Sequence, residues 1–385
     1  MSRDGWKHCV LGDLIELKRG YDLPSQSRKD GQFPIVSSSG ITGYHAEPKV
    51  QGPGVVTGRY GTLGEVFYIE ENFWPLNTSL YVRDFKGNNV RFISYLLSSL
   101  DLGRNNAAGA VPGLNRNHLH GLEVVAPSIE LQDRIADLLS AYDDLIENNT
   151  RRIEILEEMA RRLYEEWFVQ FRFPGHEGVG FKESELGLIP EGWMISCLGD
   201  VADEVRDAVH PSKVSPETPY VGLEHLPRRS ITLREWGSAD SVSSGKLSFR
   251  RGDVLFGKIR PYFHKVVIAP FNGICSSDTI LIRPKKDSFL GVVLCCSSSD
   301  KFVDYATQTS NGTKMPRADW KVLKNYPVII PSDGLLSEFN GFVLGIANQA
   351  RNLMLKNVNL RAQRDLLIPK LISGEIDVSD IPMPT

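Results

Sequence analysis

A chain of 385 residues with 41% apolar and 24% charged side chains can bury two or three cores, which excludes a wholly disordered protein. No apolar run approaches the ~18–20 residues of a membrane span, and the charged opening Met1–Arg19 does not read as a secretory signal. Five cysteines at irregular spacing exclude a disulfide framework or zinc site, so a soluble, cytoplasmic, multidomain protein is expected.

The net charge of −3 argues against a nucleic-acid binder until it is divided along the chain. Residues 1–127 carry 13 basic and 12 acidic groups, residues 188–331 carry 19 and 15, and residues 128–170 carry 5 and 11. The acid is concentrated in one segment, between two mildly basic regions.

In chain order, Gly5-Trp6 and Leu11-Gly12-Asp13 open a region rich in Gly, Pro and short β-branched or aromatic runs. Gly54–Thr57, Glu65–Ile69 and Ser79–Val82 read as strands, and Phe92–Leu100 as a short helix packed on their sheet. After Pro127 a long helix is expected over 128–173. Its apolar stripe is Ile135, Leu138, Tyr142, Leu145, Leu156, Met159 and Leu163, widened by Leu139, Ile146, Ile153, Ala160 and Trp167. A linker follows at 174–187.

Then the pattern returns. Gly192-Trp193 and Leu198-Gly199-Asp200 stand 187 residues after the opening motifs. Gly257-Lys258 stands 199 after Gly58-Arg59, Asp278–Leu281 stands 201 after Asn77–Leu80, and Ile329–Ser332 stands 204 after Val125–Ser128. Offsets that rise steadily are those of a duplicated unit with short insertions in the second copy. Asp253–Phe256, Lys265–Ala269 and Thr279–Ile282 read as the second set of strands and Gly291–Ser298 as its helix. A second long helix is expected over 332–376, with Phe339, Ile346, Leu353, Leu360 and Leu367 seven apart and with Pro369 ending or kinking it. The tail is 377–385.

The fold class expected is α/β (α+β): two globular domains, 1–127 and 188–331, with a pseudo-two-fold repeat. Each long helix spans roughly 60 Å, so the two are expected to bury their stripes against each other as an intramolecular antiparallel coiled coil. The seam would be Ile135, Leu138, Tyr142, Leu145, Leu156, Leu163, Phe339, Ile346, Leu353, Leu360 and Leu367. Asn149, Gln349, Lys356 and Gln363 would be its polar positions. The other reading has each helix capping its own domain.

Catalytic motifs are not found. Gly252–Lys258 has the glycine and lysine spacing of a phosphate loop, but Ile259 stands where Ser or Thr is needed and Arg260-Pro261 where a helix should start. Gly58–Gly64 lacks the dinucleotide fingerprint. There is no Asn/Asp-Pro-Pro-aromatic tetrapeptide and no nucleophile elbow. His118-x-His120 is the only close histidine pair and reads as polar surface, so no metal is expected.

Basic groups beside glycine recur instead. Arg59 and Tyr60 in the first copy correspond to Lys258, Arg260 and Tyr262 in the second. Asn105, Asn106 and Arg116 correspond to Asn311, Lys314 and Arg317. Such groups suit contacts to phosphates and to guanine edges, and they equally suit an ordinary surface loop.

These residues resemble the specificity subunits of type I restriction-modification enzymes. The resemblance rests on the two Gly-Trp…Leu-Gly-Asp openings, Gly252–Pro261 and Cys275–Thr279. Val111–Asn115, Ser128–Ile135, Leu163–Phe171 and Arg364–Ile376 complete it. It implies a non-catalytic reader in which each domain is a target-recognition domain for one half of a bipartite DNA sequence. The helices would set the half-site spacing and dock two modification (methyltransferase) subunits. It implies no cofactor in this chain, with S-adenosylmethionine, ATP and magnesium on the modification and restriction subunits. A self-contained DNA methyltransferase or endonuclease, and a coiled-coil scaffold without a DNA role, are the alternatives. In one departure, the second helix is poorer in charge, with Asn352, Asn357 and Asn359 where the first has ion-pairing residues.

Overall fold

The computed structural model describes residues 5–100, 102 and 113–379. They form two compact units, and the division falls within both long helices, between Ile146 and Glu147 and between Val358 and Asn359.

The first unit opens on Gly5, whose φ of +87° suits glycine. Strand Trp6–Val10 then pairs antiparallel with Glu123–Pro127. The Leu-Gly-Asp motif is a single helical turn, Leu11–Leu14. Leu11 is fully buried, and Asp13 accepts the Val10 amide at 3.2 Å, capping the turn. A Cβ on Gly12 would lie 3.0 Å from the His120 carbonyl oxygen, so the glycine permits close backbone approach. A four-stranded antiparallel sheet follows in the order Glu16–Arg19, Ser79–Asp84, Gly54–Gly58, Val66–Ile69. Alternation divides its side chains between two cores. Val55, Leu80 and Val82 face helix Val90–Ser99. Val56 and Tyr81 face a small sheet built on Phe33–Ser37.

The second unit repeats this design. Gly192 has φ +82°, and Met194–Cys197 pairs antiparallel with Pro327–Ile330. The turn Leu198–Val201 is capped by Asp200 on the Cys197 amide at 3.1 Å. Its four-stranded sheet runs Ala202–Val205, Thr279–Pro284, Val254–Gly257, Val266–Ile268. Val254, Phe256, Ile280 and Ile282 face one core, and Leu255 and Leu281 face the other. The paired register confirms the offsets of 187 and 204, since Lys7 opposes Ala126 as Met194 opposes Ile330. It corrects one. Gly58 opposes Ser79 as Gly257 opposes Thr279, so the offset there is 200 and Thr78, not Asn77, corresponds to Asp278.

The first long helix spans Ile129–Tyr164 and passes into a π-helical turn at Glu165–Val169. The second spans Asp333–Ile372. It continues through Pro369, so the proline does not end it. The carbonyl that proline leaves unbonded belongs to Asp365, beside the 68% exposed Leu366, where water can satisfy it.

Within each unit the two helices meet in opposite directions. In the first, Ile135, Ala136 and Leu139 share a core with Leu371 and Ile372, and Arg364 pairs with Asp143. In the second, Ile153 packs with Ala350, Leu353 and Met354. There Asn149 Nδ2 donates to Asn357 Oδ1 at 2.9 Å. Near the other ends, Trp167 and Phe168 enclose Phe339.

The buried stripe of the first helix includes Leu139, Ile146, Ile153, Ala160 and Trp167, which are seven apart. Of the expected seam, Ile135, Phe339 and Leu353 are buried. Leu138, Leu156, Leu163 and Leu367 are partly buried against these cores, and Tyr142, Ile346 and Leu360 are half-buried. Leu145 is 54% exposed and lies off the stripe, a correction. Met159 is exposed as well. Gln349, Lys356 and Gln363 are also exposed. The polar partner of Asn149 is Asn357 instead, because the buried row of the second helix follows Leu336, Val343, Ala350 and Asn357.

Candidate nucleic-acid interface

At the end of strand Gly54–Gly58 the chain must turn sharply. A Cβ on Gly58 would fall 1.9 Å from the Thr62 carbonyl oxygen, so only glycine fits. The next residue, Arg59, donates its amide to the Thr78 carbonyl at 3.0 Å, and its own carbonyl accepts the Leu114 amide at 3.0 Å. Both bonds recur in the second unit. Lys258 donates to the Asp278 carbonyl and accepts from the Ala318 amide, each at 2.9 Å. Two ladder-like bonds thus fix the same backbone position in each unit and project a cation from it.

Around Arg59 the first unit has a cleft of about 530 Å³, lined by Arg19, Arg59, Tyr60, Leu80, Gly113, Leu114, Asn115 and Arg116. The Arg59 guanidinium lies 4.6 Å from the Tyr60 ring centroid, a cation–π distance. Gly113 makes room for that ring, since a Cβ there would approach it to 2.5 Å. Asn115 caps helix Arg116–His120 by accepting the Asn117 amide. Among the described residues, the lining contains no carboxylate. Asn105 and Asn106 lie outside the described residues, as do Val111 and Pro112.

Arg19 was not foreseen from the sequence, although its signal was present. Arg19-Gly20 sets a basic residue beside glycine at a strand end, as Gly58-Arg59 does in the opposite order.

In the second unit the backbone bonds give a different correspondence from the one expected. Leu114 matches Ala318, and Asn115 matches Asp319, which caps Trp320–Leu323 by accepting the Lys321 amide. Arg116 therefore corresponds to Trp320, and Arg317 to Gly113. Asn311 and Arg317 exchange backbone hydrogen bonds at 3.0 and 2.9 Å, while Lys314 is exposed. Arg317 is tempered by Asp278 at 3.8 Å. Arg260 donates its amide to the Pro316 carbonyl at 2.7 Å, and Tyr262 is half exposed.

Two sequence features take structural roles. His120 Nε2 accepts the Leu17 amide at 2.9 Å, and burial, with Lys86 and Arg116 nearby, lowers its pKa. An imidazole held neutral as an acceptor is fixing backbone. In the phosphate-loop-like stretch, Asp253 is buried and accepts Arg283 Nε and Nη2 at 2.7 and 2.8 Å. Among the described residues, no group of three or more His, Cys, Asp or Glu side chains is placed to hold a metal. No helix among them is long and apolar enough to cross a membrane.

Comparison with known proteins points to one family. Residues 3–158 match the family described as "Type I restriction modification DNA specificity domain". The specificity subunit of the type I restriction enzyme EcoDI from Escherichia coli is 25% identical over 425 residues, covering 96% of this chain and 92% of the relative. Over nearly its whole length the chain is similar to type I restriction-modification specificity subunits. The MjaIX specificity subunit of Methanocaldococcus jannaschii is 26% identical over 283 residues, 70% of this chain and 64% of that one. The fold is similar to the crystal structure of the type I restriction-modification S subunit from M. genitalium, with a TM-score of 0.61, 15% identity and 97% of each chain covered. The matched family description names DNA specificity, and both relatives are specificity subunits of type I restriction enzymes.

Proposed function

We propose that each unit reads one half of a bipartite DNA target and that the long helices, paired as an antiparallel coiled coil, set the distance between the halves. The helices also dock two modification subunits, which bring S-adenosylmethionine for adenine methylation. Restriction subunits add ATP, magnesium and cleavage. The observation that carries the reading is the duplicated strand end, where matching backbone bonds present Arg59 and Lys258. Arg19, Tyr60 and Arg116 would complete the first DNA surface. Arg260, Tyr262, Asn311, Lys314 and Arg317 would complete the second.

Exchange of the first recognition domain tests this reading. Replacing residues 1–127 with the domain of another family member should change one half-site and leave the other intact. The graft must keep the packing against Leu371, Ile372 and Val378, which belong to the same core. Methylation mapping in cells carrying the modification partner reads the outcome, and a simultaneous change in both halves would refute independent reading.

The cations give a second expectation. Arg59→Ala and Lys258→Ala should each weaken DNA binding by the assembled complex. For a phosphate contact, the slope of log affinity against log salt should fall by about one. Titrations at several salt concentrations measure it, and an unchanged slope and affinity would make these residues structural turns.

A further inference from the structure

The second unit places side chains where the first requires only backbone. Gly58 donates its amide to the Glu65 carbonyl, as Gly257 does to Lys265, so the loops between them correspond. In the first loop the left-handed positions are Gly61 at φ +81° and Gly64 at φ +79°. Counted from the two ends, their counterparts in the second are Arg260 at φ +51° and His264 at φ +52°. A Cβ in this conformation meets the following carbonyl oxygen, a steric penalty glycine avoids. A third such residue, Arg229 at φ +54°, donates its amide directly to the His264 carbonyl at 2.9 Å. Three of the five left-handed non-glycine residues described thus meet at one place.

The strained loop holds Arg260 in a defined orientation. Its amide is tied to Pro316, and its guanidinium carbon lies 5.9 Å from the Phe263 ring centroid. The Arg228 guanidinium lies 4.2 Å from the same ring. Arg260 Nε is buried without a hydrogen-bond partner among the described residues. A phosphate contact requires only positive charge, which Lys258 and Lys314 supply on ordinary backbone. A planar fork fixed in direction suits two-point recognition of a base edge.

We infer that Arg260 is a specificity-determining residue of the second unit, reading the O6/N7 edge of a guanine in its half-site. The inference rests on the DNA-reading role proposed above. Strain at this loop is retained because it aims the guanidinium.

The test is Arg260→Gly in the full chain assembled with its modification subunits. Glycine already serves at this backbone position in the first unit, so thermal stability should hold or rise. Discrimination for one G·C pair in the second half-site should fall about tenfold to a hundredfold, with the first half-site unchanged. Arg260→Lys keeps the charge but not the fork, and should lose the same discrimination while retaining the salt slope. Competition binding against duplexes substituted one base pair at a time gives these readouts. Equal weakening for every duplex, with a shallower salt slope, would make Arg260 a phosphate contact and overturn the inference. Unchanged discrimination, or a lower melting temperature, would overturn it as well. A wild-type complex that discriminates no half-site would instead refute the DNA-reading role itself.

Discussion

One heptad added to each long helix should lengthen the DNA spacer while leaving both half-site sequences unchanged. The insertions belong between Asn149 and Ile153 and between Leu353 and Asn357. Asn149 bonds Asn357 there, and Ile153 packs on Leu353, so matched insertions keep the buried rows in phase. Seven residues at ~1.5 Å each add about 10 Å, room for about three base pairs at ~3.4 Å. Rotation of the far domain and elasticity of the assembly reduce the gain to one or two. Methylation mapping of the extended variant measures the spacer. An active enzyme with its original spacing would mean the helices do not set the distance.

Phe339→Ala should be the most damaging single truncation in the second unit. The ring is fully buried and lies 4.7 Å from Phe168 and 5.5 Å from Trp167, centroid to centroid. Its removal leaves a cavity between rigid aromatic neighbours that cannot collapse to fill it. Loss of a buried phenylalanine costs about 3–5 kcal/mol. Denaturant melts of wild type and variant measure this, and a loss under ~1 kcal/mol would show that the aromatic cluster repacks. Phe342, three residues on and half exposed, is the control whose truncation should cost far less.

Much of this architecture was legible in the sequence. Gly54–Thr57, Ser79–Val82 and Thr279–Ile282 lie within observed strands, because β-branched runs bounded by turn residues have few other ways to be buried. The Leu-Gly-Asp repeat was legible for a sharper reason: each residue has its own task, in the core, at a backbone crossing and at a cap. The helix stripe was harder. Leu138, Tyr142 and Leu145 keep a three-four spacing as good as that of Leu139, Tyr142 and Ile146, and only packing decides that Leu145 faces outward.

The candidate site was less legible than the fold. Arg59 and Lys258 stand beside glycines that survive duplication, so their equivalence could be read directly. Arg116 and Arg317 were matched by residue type. Backbone hydrogen bonds place them three residues out of step, because the connecting loops differ in sequence and length. Arg260 and Gly61 share a backbone conformation but no chemistry, and sequence comparison cannot see a φ angle.

The closing contacts of the first unit also constrain how the protein is made. Arg134 Nε donates to the Val378 carbonyl, 244 residues further along the chain, and Leu371 and Ile372 enter the same core as Leu11 and Phe92. At ~5–20 residues per second of synthesis, a ribosome needs on the order of ten seconds or more to reach those residues after Arg134 emerges. Throughout that interval the early domain holds an open apolar face, whereas the later one closes from neighbouring chain. A truncated translation product ending before Leu371 would therefore lose its oldest domain first, with aggregation or proteolysis beginning at the end made earliest.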